Sequence, residues 1–198
     1  MRVVSIVKQL RLIPRWFVIV VGILAAPFVL WLGVGLFDTA QSLNWHRIHG
    51  NKVEFQGHKL ALPLLWRQDS FGSDAVLKLS RGAFWHPTLP LLTGPEFLEI
   101  GSGAHGPGAY DDAAALRWQT DMVASYHSNR DFAVPENLHA KSMTFYCFDR
   151  DDGDIHGGCI LCEAAGTNWD VTFGASQTDP VAIQKQMQEA REILESVE

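Results

Sequence analysis

The sequence predicts an α+β protein, with an N-terminal transmembrane helix followed by one antiparallel sheet domain packed with two main helices. Three observations carry this. Trp16 to Phe37, "WFVIVVGILAAPFVLWLGVGLF", is a run of 22 residues without a charge, and about 20 apolar residues span a bilayer core as a helix. Alternating apolar and polar residues recur between Lys52 and Ser176, the period of half-buried strands. Two stretches, one after Tyr110 and one at the C-terminal end, repeat apolar residues at helical spacing instead. The chain divides accordingly into a basic cytoplasmic leader (1–15), the span (16–37), a tether (38–51) and an extracytoplasmic domain (52–198).

Charge supports the same division. Residues 1 to 37 carry Arg2, Lys8, Arg11 and Arg15 and no acid, whereas the rest holds the other 12 basic and all 22 acidic residues, a balance of −10. All four cations precede the span, so the N-terminus is expected inside and the domain in the periplasm or outside the cell. An acidic body repels phosphate backbones, which argues against nucleic acid as a partner. A cleaved signal peptide is the competing reading, but its apolar region runs only about 7–15 residues. Asp38 also stands where a cleavage site wants a small residue.

Within the domain, "KVEFQGHKLALP" predicts a hairpin turning at Gln56-Gly57, where glycine admits positive φ. Trp66 is expected to fold back onto the sheet, and "DAVLKLS" to be a strand with Ala75, Leu77 and Leu79 on one face. Residues 82 to 98, "GAFWHPTLPLLTGPEFL", fit neither period; they read as a packed loop or as an exposed apolar patch. In the second case Phe84, Trp85 and Leu91 are candidate contacts for an envelope protein partner. "YDDAAALRWQTDMVASYHSN" predicts a helix capped by Asp111 or Asp112. Its buried face would hold Ala115, Trp118, Met122 and Tyr126, or Leu116 and Val123. Residues 128 to 141, with Pro135, read as a linker. "SMTFYCF", "GGCILCEA" and "NWDVTFGAS" predict three strands, and Asp179-Pro180 opens a last helix with Ile183, Met187, Ala190, Leu194 and Val197 facing the sheet.

The chemistry-bearing stretch is "CFDRDDGDIHGGCILC", which holds all three cysteines. A calcium loop of EF-hand type fails, because Gly153 falls at position 5 and Ile160 at position 12. His156, Cys159 and Cys162 are candidate zinc ligands, but a structural site takes two ligand pairs and one Cys-x-x-Cys is present. A thiol redox pair works at a helix start, whereas residues three apart on a strand face opposite ways. A hairpin centred on Gly153 places Cys147 opposite Cys159, close enough for a disulfide in an oxidising compartment. Three buried thiols packing as small hydrophobes is the remaining reading.

"GSGAHG", residues 101 to 106, has dinucleotide-loop spacing, but Asp111 and Asp112 occupy the helix end a pyrophosphate would need. His46 and His49 could ligate a metal from one helix face; an exposed juxtamembrane pair is the plainer reading. Gly-x-Ser-x-Gly and His-Glu-x-x-His are absent from the sequence. No cofactor is expected.

"VEFQGHKLALPLLW", "WDVTFGAS" and "AREILESVE" together resemble the PsbP-like domains. The likeness lies in an early strand running into a Pro-x-x-Trp turn, then a closing strand and a helix ending in Ile-Leu-x-Ser. It implies an α/β/α sandwich around an antiparallel sheet, in accessory or binding roles, and carries over no functional residue. The expected function is thus a membrane-anchored, non-catalytic binding domain; a thiol- or metal-dependent enzyme using Cys147 to Cys162 is the alternative.

Overall fold

The computed structural model describes residues 14–69, 72–82, 97–102, 111–127, 132–151, 157–176 and 180–198. Phe84, Trp85, Leu91, His156, most of the basic leader, the Gly153 turn and the Asp179 cap lie outside the described residues.

Helix α1 (Arg15–His49) is one continuous element of 35 residues. Pro27 lies inside it, in an apolar stretch with no competing polar side chain. The helix does not stop where the apolar run ends at Phe37. The expected tether is therefore corrected over residues 38 to 49, which are helical and rest on the domain. At Gly50 the chain adopts a φ of 77° and turns into a hairpin of β1 (Lys52–Phe55) and β2 (His58–Ala61). Its two-residue turn, Gln56 and Gly57, has φ of 51° and 85°, the doubly positive pattern that matches strand twist. The Gln56 side chain braces the turn by accepting from Trp169 Nε1 at 2.8 Å and donating to Ser102 Oγ.

The main sheet has seven strands, all antiparallel to their neighbours, in the order β3-β4-β5-β9-β8-β7-β6. They are β3 (Trp66–Gln68), β4 (Val76–Arg81), β5 (Phe97–Ser102), β6 (Phe132–His139), β7 (Thr144–Asp151), β8 (Gly157–Ala165) and β9 (Trp169–Ser176). Leu77 and Leu79 are buried as the alternation requires, while Ala75 is exposed and precedes the strand. Trp66 opens β3 and is fully buried in the core against the sheet. The linker reading of 128 to 141 is also corrected, because β6 occupies most of it as an edge strand. Pro135 suits an edge, where a missing N–H leaves no inner ladder bond unmade.

Helix α2 (Asp112–His127) packs on β6, β7 and β8, and helix α3 (Pro180–Glu195) packs on β8, β9, β6 and β2. Asp111 caps α2 by accepting from Ala114 N at 2.7 Å. The buried face of α2 holds Ala115 and Gln119; Leu116 and Met122 are exposed instead. The described residues of α3 behave as read: Met187, Ala190, Leu194 and Val197 are buried, joined by Ile193. Its C-terminal end is stitched to the hairpin, with Lys59 and Glu198 exchanging backbone bonds and Ala61 N donating to Ser196 Oγ at 2.8 Å.

Candidate functional site

Strand β7 pairs with β8 so that Cys147 faces Cys162, and the two form a disulfide with an S–S distance of 2.05 Å. The predicted Cys147–Cys159 bridge is therefore corrected: Cys159 lies opposite Arg150. The register is displaced by three positions from a turn centred on Gly153. An odd displacement sends Cys159 to the other face of the sheet. Cys147 and Cys162 are buried under α3, and Cys159 is half-buried on the α2 side, outside the bridge. The Cys-x-x-Cys spacing thus brings no dithiol together, and Cys162 is committed to its bridge rather than to a metal. Among the described residues no group of three or more His, Cys, Asp or Glu side chains is arranged to hold an ion.

The two histidines of "HRIH" separate likewise. His46 Nε2 lies 2.8 Å from Trp66 O and 3.1 Å from Pro63 O, and its Nδ1 lies 3.0 Å from Gly50 O. Both ring nitrogens face carbonyl oxygens, which leaves neither free for a metal. His49 is exposed, as read, and stacks on Trp45 at 4.9 Å.

Two arrangements were not legible from motifs. The first is the junction between α1 and the domain. Asp38, the first residue after the apolar run, pairs with Arg67 at 3.2 Å, and Arg67 also donates to Asp38 O at 3.2 Å and Ser42 Oγ at 3.0 Å. Ser42 is fully buried and donates to Leu65 O at 3.1 Å. Gly82 is required here: a Cβ on it would come within 2.8 Å of Ser42 Oγ and 3.3 Å of Asp38 O. The only sequence signal was a run of helix-compatible residues through Gln41 to Ile48.

The second arrangement is a cavity of about 450 Å³ where the β6–β7 turn meets the start of α2. Asp111, Asp112, Lys141, Ser142, Thr144 and Gly166 are among its lining residues. Tyr146 OH donates to Asp112 Oδ1 at 2.9 Å. That bond, aided by slight burial and the negative charge of Asp112, raises the phenol's pKa above its ordinary value and keeps it a donor.

Two carboxylates where α3 meets the sheet, Glu189 on the helix and Asp149 on β7, complete the electrostatics. Glu189 is opposed by burial, yet hydrogen bonds from Arg81 (2.6 Å) and Trp66 Nε1 (2.9 Å), with the charges of Arg81 and Lys185, hold its pKa below the usual range. Asp149 is pushed the other way. Burial raises it, Arg191 at 2.6 Å lowers it, and Glu136 beside the same guanidinium raises it again. Its Oδ1 is buried without a hydrogen-bond partner.

No family model matches the chain, and no curated protein matches it. A crystal structure from Bacteroides thetaiotaomicron VPI-5482 is similar at a TM-score of 0.43 and 13% identity, over 71% of this chain and 44% of that one. The chain thus spans less than half of that protein's length.

Proposed function

We propose that this protein is a membrane-anchored accessory domain, non-catalytic, that binds an envelope protein or a small polar ligand on the outer side of the cytoplasmic membrane. The observation that carries the reading is α1. Its apolar part is long enough to cross a membrane, and its polar part is built into the domain through Asp38, Ser42 and His46. The four N-terminal cations favour an inside N-terminus, and the Cys147–Cys162 bridge suits an oxidising compartment. Likeness to the PsbP-like domains remains part of the proposal and favours a binding role.

Protease treatment of intact spheroplasts tests it. A C-terminal tag is expected to be removed before lysis, and crosslinking in intact membranes is expected to capture an envelope protein. A tag digested only after lysis would reverse the topology. The enzyme alternative would gain if purified protein held stoichiometric zinc, or if Cys159 were alkylated rapidly at neutral pH.

A further inference from the structure

We infer that α1 holds the domain flush against the lipid headgroups, with the Leu65–Gly82 corner as its membrane-facing surface. This rests on the anchored reading of α1 and adds where the membrane lies on the domain.

The inference comes from the spacing of contacts along one helix. An α-helix rises 1.5 Å per residue, and the headgroup layer adds about 5–7 Å beyond each side of the hydrocarbon core. With the core edge at Phe37, Asp38 lies among the headgroups and Ser42, about 6 Å further, lies at their outer margin. Yet both already touch the domain. Asp38 holds Arg67, and its carbonyl lies against the site of Gly82. Ser42 holds Leu65 O one turn later, and His46 holds Pro63 O and Trp66 O one turn after that. The three contacts climb away from the membrane in order, so Arg67 and Gly82, against Asp38, lie lowest, with Leu65 at the same corner one turn above. No spacer separates the apolar run from the first contact.

The partner is the headgroup layer itself, and the chemistry says which kind. Arg67 is neutralised by Asp38 within the protein, so among the described residues the corner offers no unpaired cation to anionic lipid. Contact is therefore imposed by the helix and is expected to be indifferent to lipid charge.

The test uses the full chain in phosphatidylcholine nanodiscs, in a Cys159→Ser background, with fluorophores at single introduced cysteines. Leu64→Cys reports the corner, where Leu64 is 60% exposed. Ser142→Cys reports the exposed β6–β7 turn, and Leu24→Cys reports the span. Headgroup-nitroxide lipid is expected to quench Leu64→Cys at least threefold more than Ser142→Cys, unchanged when a third of the lipid is phosphatidylglycerol. Arg67→Ala should cut that difference by half or more, and Arg67→Lys by less, with Leu24→Cys still quenched by mid-chain nitroxide. Equal quenching at Leu64→Cys and Ser142→Cys, with Leu24→Cys quenched, would overturn the flush placement and leave the anchor standing. Loss of quenching at Leu24→Cys would overturn the anchor itself. Quenching that rises with phosphatidylglycerol would overturn the charge-indifferent contact.

Discussion

The two faces of the seven-stranded sheet are built on different principles. The α3 face is sealed with large apolar groups: Trp66, Trp169, Phe145 and Phe173 are all within 1% of full burial, and the disulfide lies among them. The described part of the opposite face is polar over much of its area. Gln119 spans from α2 to Glu136 O, Asn137 Oδ1 and Cys147 O, and Lys78 pairs with Glu99 at 3.0 Å. Two glycines there are covered by their neighbours, Gly101 by the Asp170 carboxylate and Gly174 by the Phe97 ring. The first face is dominated by exclusion of water and also carries the Arg81–Glu189 and Arg191–Asp149 pairs; the second combines specific polar contacts with a smaller apolar patch around Phe148.

The largest effect should follow from opening the sealed face. Phe173→Ala removes a fully buried ring and should cost about 3–5 kcal/mol, read as a lower midpoint in urea. Trp118, half-buried and packed on Phe148 at 5.6 Å, should cost less than half as much when changed to alanine. Equal losses would mean the α2 face is as tightly built as the other.

Next comes the disulfide. Cys147 and Cys162 are 15 residues apart, and opening a loop of that size costs about 3 kcal/mol in the chain-entropy account. The Cys147→Ser, Cys162→Ser double variant should lose about that much. Reductant should destabilise the wild type and leave the variant unmoved.

The third test sets two carboxylates of one face against each other. Glu189→Gln weakens charged hydrogen bonds from Arg81 and Trp66 and should cost about 2 kcal/mol near neutrality. Because the folded pKa of Glu189 lies below its unfolded value, its contribution is present above about pH 4.3 and fades as pH falls through the folded pKa. The gap between wild type and variant should narrow in acid. Asp149 has the opposite sign: with a raised folded pKa, it favours the folded state at low pH and loses that benefit as pH rises through the folded value. Asp149→Asn should therefore remove a loss of stability that develops as pH rises, and cost less than Glu189→Gln at neutrality.

The smallest effect belongs to the polar face. Gln119→Met removes a donor shared by three acceptors but keeps the side-chain volume, and should cost about 1 kcal/mol. It should also speed exchange of the β6–β7 amides beneath it.

This contrast also explains what could be read beforehand. Elements with one sealed and one polar face announced themselves: β1, β4, β9 and α3 alternate or repeat as their burial does. Strand β7 did not. Phe145, Cys147 and Phe148 are all buried, so both faces are covered and no alternation pins its register. The Asp/Gly-rich connection to β8 does not pin it either, hence the three-position error at the cysteines. Strand β6 was hidden by Pro135, which only an edge position excuses. On α2, a buried glutamine occupied the place where an apolar side chain was sought. Of the candidate site, the disulfide needed the register, and the Asp38–Arg67 junction joins residues too far apart in sequence for any local pattern to pair them.

The attachment of α1 to β3 has a mechanical consequence. Strand β3 has three residues and lies at the edge of the sheet, so a pull on the helix would fall on an element held by few hydrogen bonds. The broad, bridged centre of the sheet would bear little of that load. Under tension the helix should peel away before the body unravels, making this junction the mechanical fuse of the molecule.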